Sequence, residues 1–99
     1  RKNFPNFKDD GKVAVISAES WLKLKKYENV MPELSSFYIK NPKSSLVPRA
    51  KTIEAQHYEQ IGRYQKAAQV YTEVIALSPK SEFAKNARLA LVRIRDSEF

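Results

Sequence analysis

The sequence predicts an all-α fold of antiparallel helix-turn-helix units, on three observations. Apolar residues recur at three- and four-residue spacings, the chain repeats itself at an offset of 37 residues, and the helix-breaking residues fall between the apolar stripes. At that offset seven of 50 pairs are identical: Ile16/Ile53, Ala18/Ala55, Tyr27/Tyr64, Pro42/Pro79, Lys43/Lys80, Ser44/Ser81 and Ala50/Ala87. Roughly three would be expected from composition. Large apolar residues also meet large apolar residues, as in Trp21/Tyr58, Leu24/Ile61, Leu34/Tyr71, Phe37/Val74, Tyr38/Ile75 and Leu46/Phe83.

Five helices follow in order. The first is expected over 13–25, where Ile16, Ala18, Trp21 and Leu24 are matched one repeat later, and it stops at Lys25-Lys26. A second, over 29–41, carries Leu34, Phe37 and Tyr38; Pro32 is expected near its start, where a missing N–H is tolerated. The third, over 45–62, has the stripe Ala50, Ile53, His57 and Ile61 and ends at Gly62-Arg63. The fourth, over 64–77, has Ala67, Tyr71, Val74 and Ile75 and ends at Ser78-Pro79. The fifth, over 81–95, opens with Ser81 as N-cap and Phe83 starting its stripe. No strand is needed. Residues 1–12, with Pro5 and Gly11, read as an extended lead-in whose Phe4 and Phe7 could dock on the first helix pair, leaving 13–99 as one helical repeat domain.

Composition narrows the chemistry. A chain of 99 residues without cysteine has neither a thiolate nucleophile nor a thiolate zinc site, and one histidine, His57, cannot build a histidine metal cluster. No run of about 18 apolar residues is present to span a bilayer. The net charge of +7 divides as +2 over 1–12, +2 over 13–44, +2 over 45–80 and +1 over 81–99. So even a spread resembles a solvated surface, and nucleic acid is not expected as a partner. Lys23, Lys25 and Lys26 are the one dense basic cluster and complement the dipole at a helix C-terminus. Asp9-Asp10-Gly11 lacks the remaining ligands of a calcium loop and reads as a turn. The aromatic residues stand at helical spacing, as core residues do. His57 has no nucleophile or carboxylate at a spacing that gives it a catalytic partner. Neither cofactor nor metal is expected, and the chain is not expected to be an enzyme.

Gly62, Tyr64, Ala67, Tyr71 and Pro79 fall on the Gly, Tyr, Ala, aromatic and Pro positions of the tetratricopeptide (TPR) signature, and residues 58–67 resemble that family's hinge. The preceding unit follows more loosely through Trp21, Tyr27, Val30, Leu34, Phe37 and Pro42. Lys25 replaces the turn glycine, Val30 the small alanine, and Lys51 and Glu54 stand where apolar residues are usual. These departures, with 37 residues per unit instead of about 34, suggest a shifted or lengthened first helix in each pair. The Pro-x-Ser-x-x-x-x-x-Ala pattern at 42–50 and 79–87 is similar to units of bacterial envelope proteins of the BamD type (outer-membrane assembly lipoproteins) and the CpoB type (periplasmic coordinators).

The resemblance implies a TPR-like solenoid of two repeats plus a capping helix, with a concave groove lined by the first helix of each pair. It implies a non-catalytic protein-interaction module, an adaptor or scaffold that holds a protein or peptide partner in a multiprotein complex of outer-membrane protein assembly. The implied place is the periplasm, associated with the outer membrane as a lipoprotein whose anchor lies outside this segment; the alternative is the cytoplasm. Groove positions carried over singly are Val15, Glu19, Leu22 and Lys23 in the first unit, Arg49, Thr52, Gln56, Glu59 and Gln60 in the second, and Asn86, Leu89 and Arg93 in the fifth helix. Val15, Glu19, Thr52 and Gln56 occupy positions where a chaperone-binding carboxylate clamp needs Lys and Asn, so a chaperone C-terminus is not the expected ligand. Arg88, Arg93, Arg95, Asp96 and Glu98 give the fifth helix the charged outer face of a cap. Since arrays usually need about three repeats to stand alone, a partner or a homodimer is expected. A basic electrostatic binder of RNA or of an anionic lipid surface is the alternative function.

Overall fold

The structure, a computed structural model, describes residues 11–97. It is all-helical: α1 Lys12–Lys23, α2 Tyr27–Lys40, α3 Val47–Gln60, α4 Tyr64–Leu77 and α5 Glu82–Ser97, with no strand among the described residues. Helices α1 and α2 pair, α3 and α4 pair, and α5 packs on α4 and α3. The first helices α1, α3 and α5 touch in sequence, whereas the backbones of α2 and α4 do not approach within 8 Å of each other. The layer of first helices is therefore the inner side of the stack. The placement expected for Phe4 and Phe7, and the turn at Asp9-Asp10, fall outside the described residues. Lys12, expected in the lead-in, already belongs to α1.

The two units end their first helices identically. After α1, the Lys26 N–H donates to the Trp21 carbonyl (2.9 Å) and the Lys25 N–H to Leu22 (3.0 Å); after α3, the Arg63 N–H donates to Tyr58 (2.8 Å) and the Gly62 N–H to Glu59 (3.1 Å). Each pair of bonds is a Schellman motif, which needs a left-handed residue just past the helix. That residue is Gly62 (φ 85°) in the second unit and Lys25 (φ 62°) in the first. The second helices match too, ending at Asn41 and Ser78 with similar dihedrals and with amides bonded to Phe37 and Val74. Ser81 caps α5 as its sequence suggests, its Oγ accepting from the Ala84 N–H at 3.2 Å.

Burial follows the repeat. Ala18/Ala55, Val30/Ala67, Leu34/Tyr71, Phe37/Val74 and Ala50/Ala87 are buried in both members of each pair. The core forms two clusters: Ala50 and Ile53 of α3 join the α1–α2 cluster, while Ala55 joins α4 and α5. Three expectations need correction. Pro32 lies at the sixth position of α2, past the first turn, because α2 begins at Tyr27 and not at residue 29; its ring faces solvent and supplies no N–H to the carbonyl of Glu28. Helix α3 spans 47–60 instead of 45–62, since Leu46 and Pro48 set its start and the Gly62 turn its end. It is not lengthened: it has 14 residues, as α2 and α4 do, and Lys51 and Glu54 are accommodated by polar partners.

The turns give a matched set of predictions. Replacing Lys25→Gly relieves a left-handed L-residue and should stabilise the chain by about 1 kcal/mol after glycine's entropy is counted. Gly62→Ala should cost about 1 kcal/mol, its Cβ meeting nothing within 4 Å. Gly11→Ala should cost clearly more, because a Cβ there collides with the Phe37 ring and lies 2.8 Å from Asn41 Nδ2. Thermal unfolding followed by circular dichroism checks the order, with midpoints shifting by roughly 4–8 °C per kcal/mol; an unchanged midpoint for Lys25→Gly would refute the strain assigned to that turn.

Candidate functional site

On the inner face, α3 and α5 lie side by side and leave two adjoining recesses. One, of about 240 Å³, is lined by Thr52, Gln56, Tyr71, Asn86, Leu89, Ala90 and Arg93; the other, of about 490 Å³, by Gln56, Glu59, Gln60, Tyr64 and Arg93. Gln56 and Arg93 border both, so the two form one continuous groove. Helical periodicity explains the set: Thr52, Gln56 and Glu59 share one side of α3, and Asn86, Leu89 and Arg93 one side of α5. Seven of the twelve expected groove residues thus converge here.

The groove's charges are largely consumed by one another. The Glu59 carboxylate accepts from Arg93 Nε at 2.7 Å and Nη2 at 2.8 Å, and from the Tyr71 hydroxyl at 2.9 Å. The Arg93 hydrogen bonds, reinforced by Tyr71 and opposed by burial, hold Glu59 below the usual carboxylate range. Burial first, and then Glu59, pushes the Tyr71 phenol upward. A similar pair, Arg49 Nη2 to Glu19 Oε1 at 2.7 Å, joins α1 to α3 on the same layer. What remains for a ligand is mainly uncharged: the carboxamides of Gln56 and Asn86, the carboxamide N–H groups of Gln60, whose Oε1 already accepts from the Tyr27 hydroxyl, and Leu89, which is 60% exposed.

The other expected positions part company with the groove. Val15 and Leu22 are buried in the first core cluster and cannot meet a partner, which corrects the carry-over. Their equivalents in the second unit, Thr52 and Glu59, are polar and only partly buried, whereas apolar side chains at the same register of α1 turn into the core. Lys23 is exposed at the C-terminal end of α1, beside the turn and away from the recesses. Tyr71 is buried in the second core cluster and Tyr64 packs against that cluster, as their helical spacing predicts, yet both, with Ala90, also border the groove, which the sequence did not indicate. The available signal was Tyr71 standing opposite Leu34 in the repeat, since a buried phenol requires a polar partner that leucine does not.

A second polar cluster joins the units on the other side of α3. The Tyr38 hydroxyl donates to Glu54 Oε1 at 2.8 Å; Lys51 Nζ lies 3.1 Å from Glu73, 3.8 Å from Glu54 and 4.8 Å from the centre of the Tyr38 ring. His57 is buried with its ring 5.9 Å from Tyr27 and 5.3 Å from Tyr58, and its Nδ1 has no hydrogen-bond partner. Burial pushes its pKa down, against the opposing charge of Glu54.

No protein-family model, curated protein or solved structure matches the chain. Among the described residues no group of three or more His, Cys, Asp or Glu is placed to hold a metal ion, and no helix is long and apolar enough to cross a membrane.

The state of His57 predicts a pH dependence. Its imidazole protonates at about 6.5 in the unfolded chain and lower when folded. The stabilisation from neutral His57 is therefore complete above the unfolded value and is lost as pH falls through the folded one. Glu59 adds a separate loss beginning only below the ordinary carboxylate value. Urea unfolding between pH 7 and 5, a window of about 2 units around the imidazole value, should show stability declining in the wild type and a flat profile in His57→Leu. A slope that persists in the variant would assign the effect to another group.

Proposed function

We propose that the chain is a non-catalytic interaction module of the TPR type, an adaptor that holds an extended or helical peptide segment of a protein partner along the inner face of α3 and α5. The observation that carries this reading is the convergence of Thr52, Gln56, Glu59, Gln60, Asn86, Leu89 and Arg93 on one groove. The carboxamides of Gln56 and Asn86 offer both donors and acceptors to a peptide main chain, Gln60 adds N–H donors, and Leu89 offers one aliphatic contact, the mixture a groove mode of recognition uses. Because Glu59 and Arg93 neutralise each other, a strongly charged ligand gains little here. The equivalent turns and helix ends of the two units, and the five repeat pairs buried in both members, support the TPR assignment. A non-catalytic role agrees with the shifted groups: Glu59, Tyr71 and Arg93 satisfy one another, and Tyr38 is tied to Glu54.

The partner we propose belongs to a multiprotein complex of the bacterial envelope, in the periplasm at the outer membrane and concerned with outer-membrane protein assembly. The Pro-x-Ser-x-x-x-x-x-Ala pattern of residues 42–50 and 79–87 is its support.

Panning a random peptide library on the folded chain tests the groove. The triple variant Gln56→Ala, Asn86→Ala and Leu89→Ser alters exposed side chains only. It should lower the affinity of enriched peptides at least about tenfold, the loss of one or two modest contacts, while the melting midpoint stays in place. Peptides that bind the triple variant unchanged would place recognition elsewhere.

A further inference from the structure

The two Schellman turns lie at the same end of the stack and side by side, since the Tyr27 hydroxyl, just past the first turn, donates to Gln60 Oε1, just before the second, at 3.0 Å. Each turn leaves an aliphatic residue in solvent: Leu24, 65% exposed, and its repeat equivalent Ile61, 39% exposed. Around them stand Lys23, Lys25 and Lys26 from the first turn and Arg63 and Lys66 from the second, all exposed. None of these five forms an ion pair with another described residue. Glu28 is the exposed acid beside them, while Glu59 is held by Arg93.

We propose that this edge docks on an anionic phospholipid bilayer, with Leu24 and Ile61 entering the headgroup layer and the five cations facing lipid phosphates. Charge complementarity supplies the attraction. The paired aliphatic tips select lipid over nucleic acid, because a phosphate backbone offers no apolar partner, and single strands are gripped by exposed aromatic rings, whereas Tyr27, Tyr58 and Tyr64 are all partly buried. The first turn also keeps a lysine in the left-handed conformation that the second gives to glycine, a strained placement that sets a cation at the tip. Each cation near an anionic leaflet contributes roughly fivefold in partitioning, so four net charges carry a preference of several hundredfold over neutral lipid, weakened by salt. The surface is distinct from the peptide groove and stands independently of it.

The chain has no cysteine, so one environment-sensitive fluorophore can be placed singly at Leu24→Cys, Ile61→Cys or, as control, Ile39→Cys. Ile39 is 80% exposed and lies roughly 18 Å from Tyr27 along α2. The full chain is mixed with vesicles of equal parts phosphatidylglycerol and phosphatidylcholine, or of phosphatidylcholine alone, at low and at high salt. Binding to the anionic vesicles, blue shifts at positions 24 and 61 and none at 39, with loss of all three effects in high salt, are the expected results. Lys25→Gly should weaken partitioning about fivefold while raising the melting midpoint, opposite movements that loss of structure cannot produce. The proposal is overturned by absence of binding at low salt, by a shift at Ile39→Cys as large as at the tips, by unchanged partitioning of Lys25→Gly, or by an oligonucleotide binding as tightly with the labels unshifted.

Discussion

Helix α3 has to satisfy two cores at once, and the arrangement of the rest follows from how it does so. Ala50 and Ile53 face the first hairpin, Ala55 faces α4, and all three are buried. Alanine at 50 and 55 lets neighbouring backbones approach closely, at the expense of the apolar area a larger residue would bury. Polar joints complete the contact on both sides. Tyr38, Glu54, Lys51 and Glu73 tie α3 to α2 and α4, and Glu59 ties it to α4 and α5 through Tyr71 and Arg93. Partnered carboxylates at these depths demand specific geometry, so α3 is fixed in rotation about its axis. That rotation is what presents Thr52, Gln56 and Gln60 to the inner face.

The same repeat geometry reorganises the charge. Along the sequence the basic excess is nearly uniform, which reads as a solvated surface. In space, residues 37 apart become neighbours at the turns, and a uniform distribution becomes a cationic edge with two aliphatic tips. Linear charge counts are therefore a poor guide in a repeat protein, because its surface is sampled once per unit instead of continuously along the chain.

What was legible in the sequence was the content set by local rules. The helices, the 37-residue offset, the equivalence of Lys25 with Gly62 and the Ser81 cap all follow from periodicity, turn chemistry and capping. Their limits were less legible, because the Schellman bonds stop α1 and α3 two residues before the breaker itself, and α2 then starts early enough to place Pro32 inside it. The site divided along the same line. Residues on α3 and α5 converged because both helices have neighbours on the inner layer. Val15 and Leu22 failed because no periodic pattern distinguishes an apolar residue that lines a groove from one that turns into a core.

The backbones of the outer helices α2 and α4 stay more than 8 Å apart, while the inner layer is stitched by Glu19 to Arg49 and by Glu59 to Arg93. The outer side is tied as well, but only through α3, by Tyr38 to Glu54 and by Lys51 to Glu73. Bending that spreads the inner layer, and so draws α2 towards α4, has to part the charge-assisted hydrogen bonds of Glu19 with Arg49 and of Glu59 with Arg93. Any widening of the inner face is therefore opposed at two points, each held by an arginine.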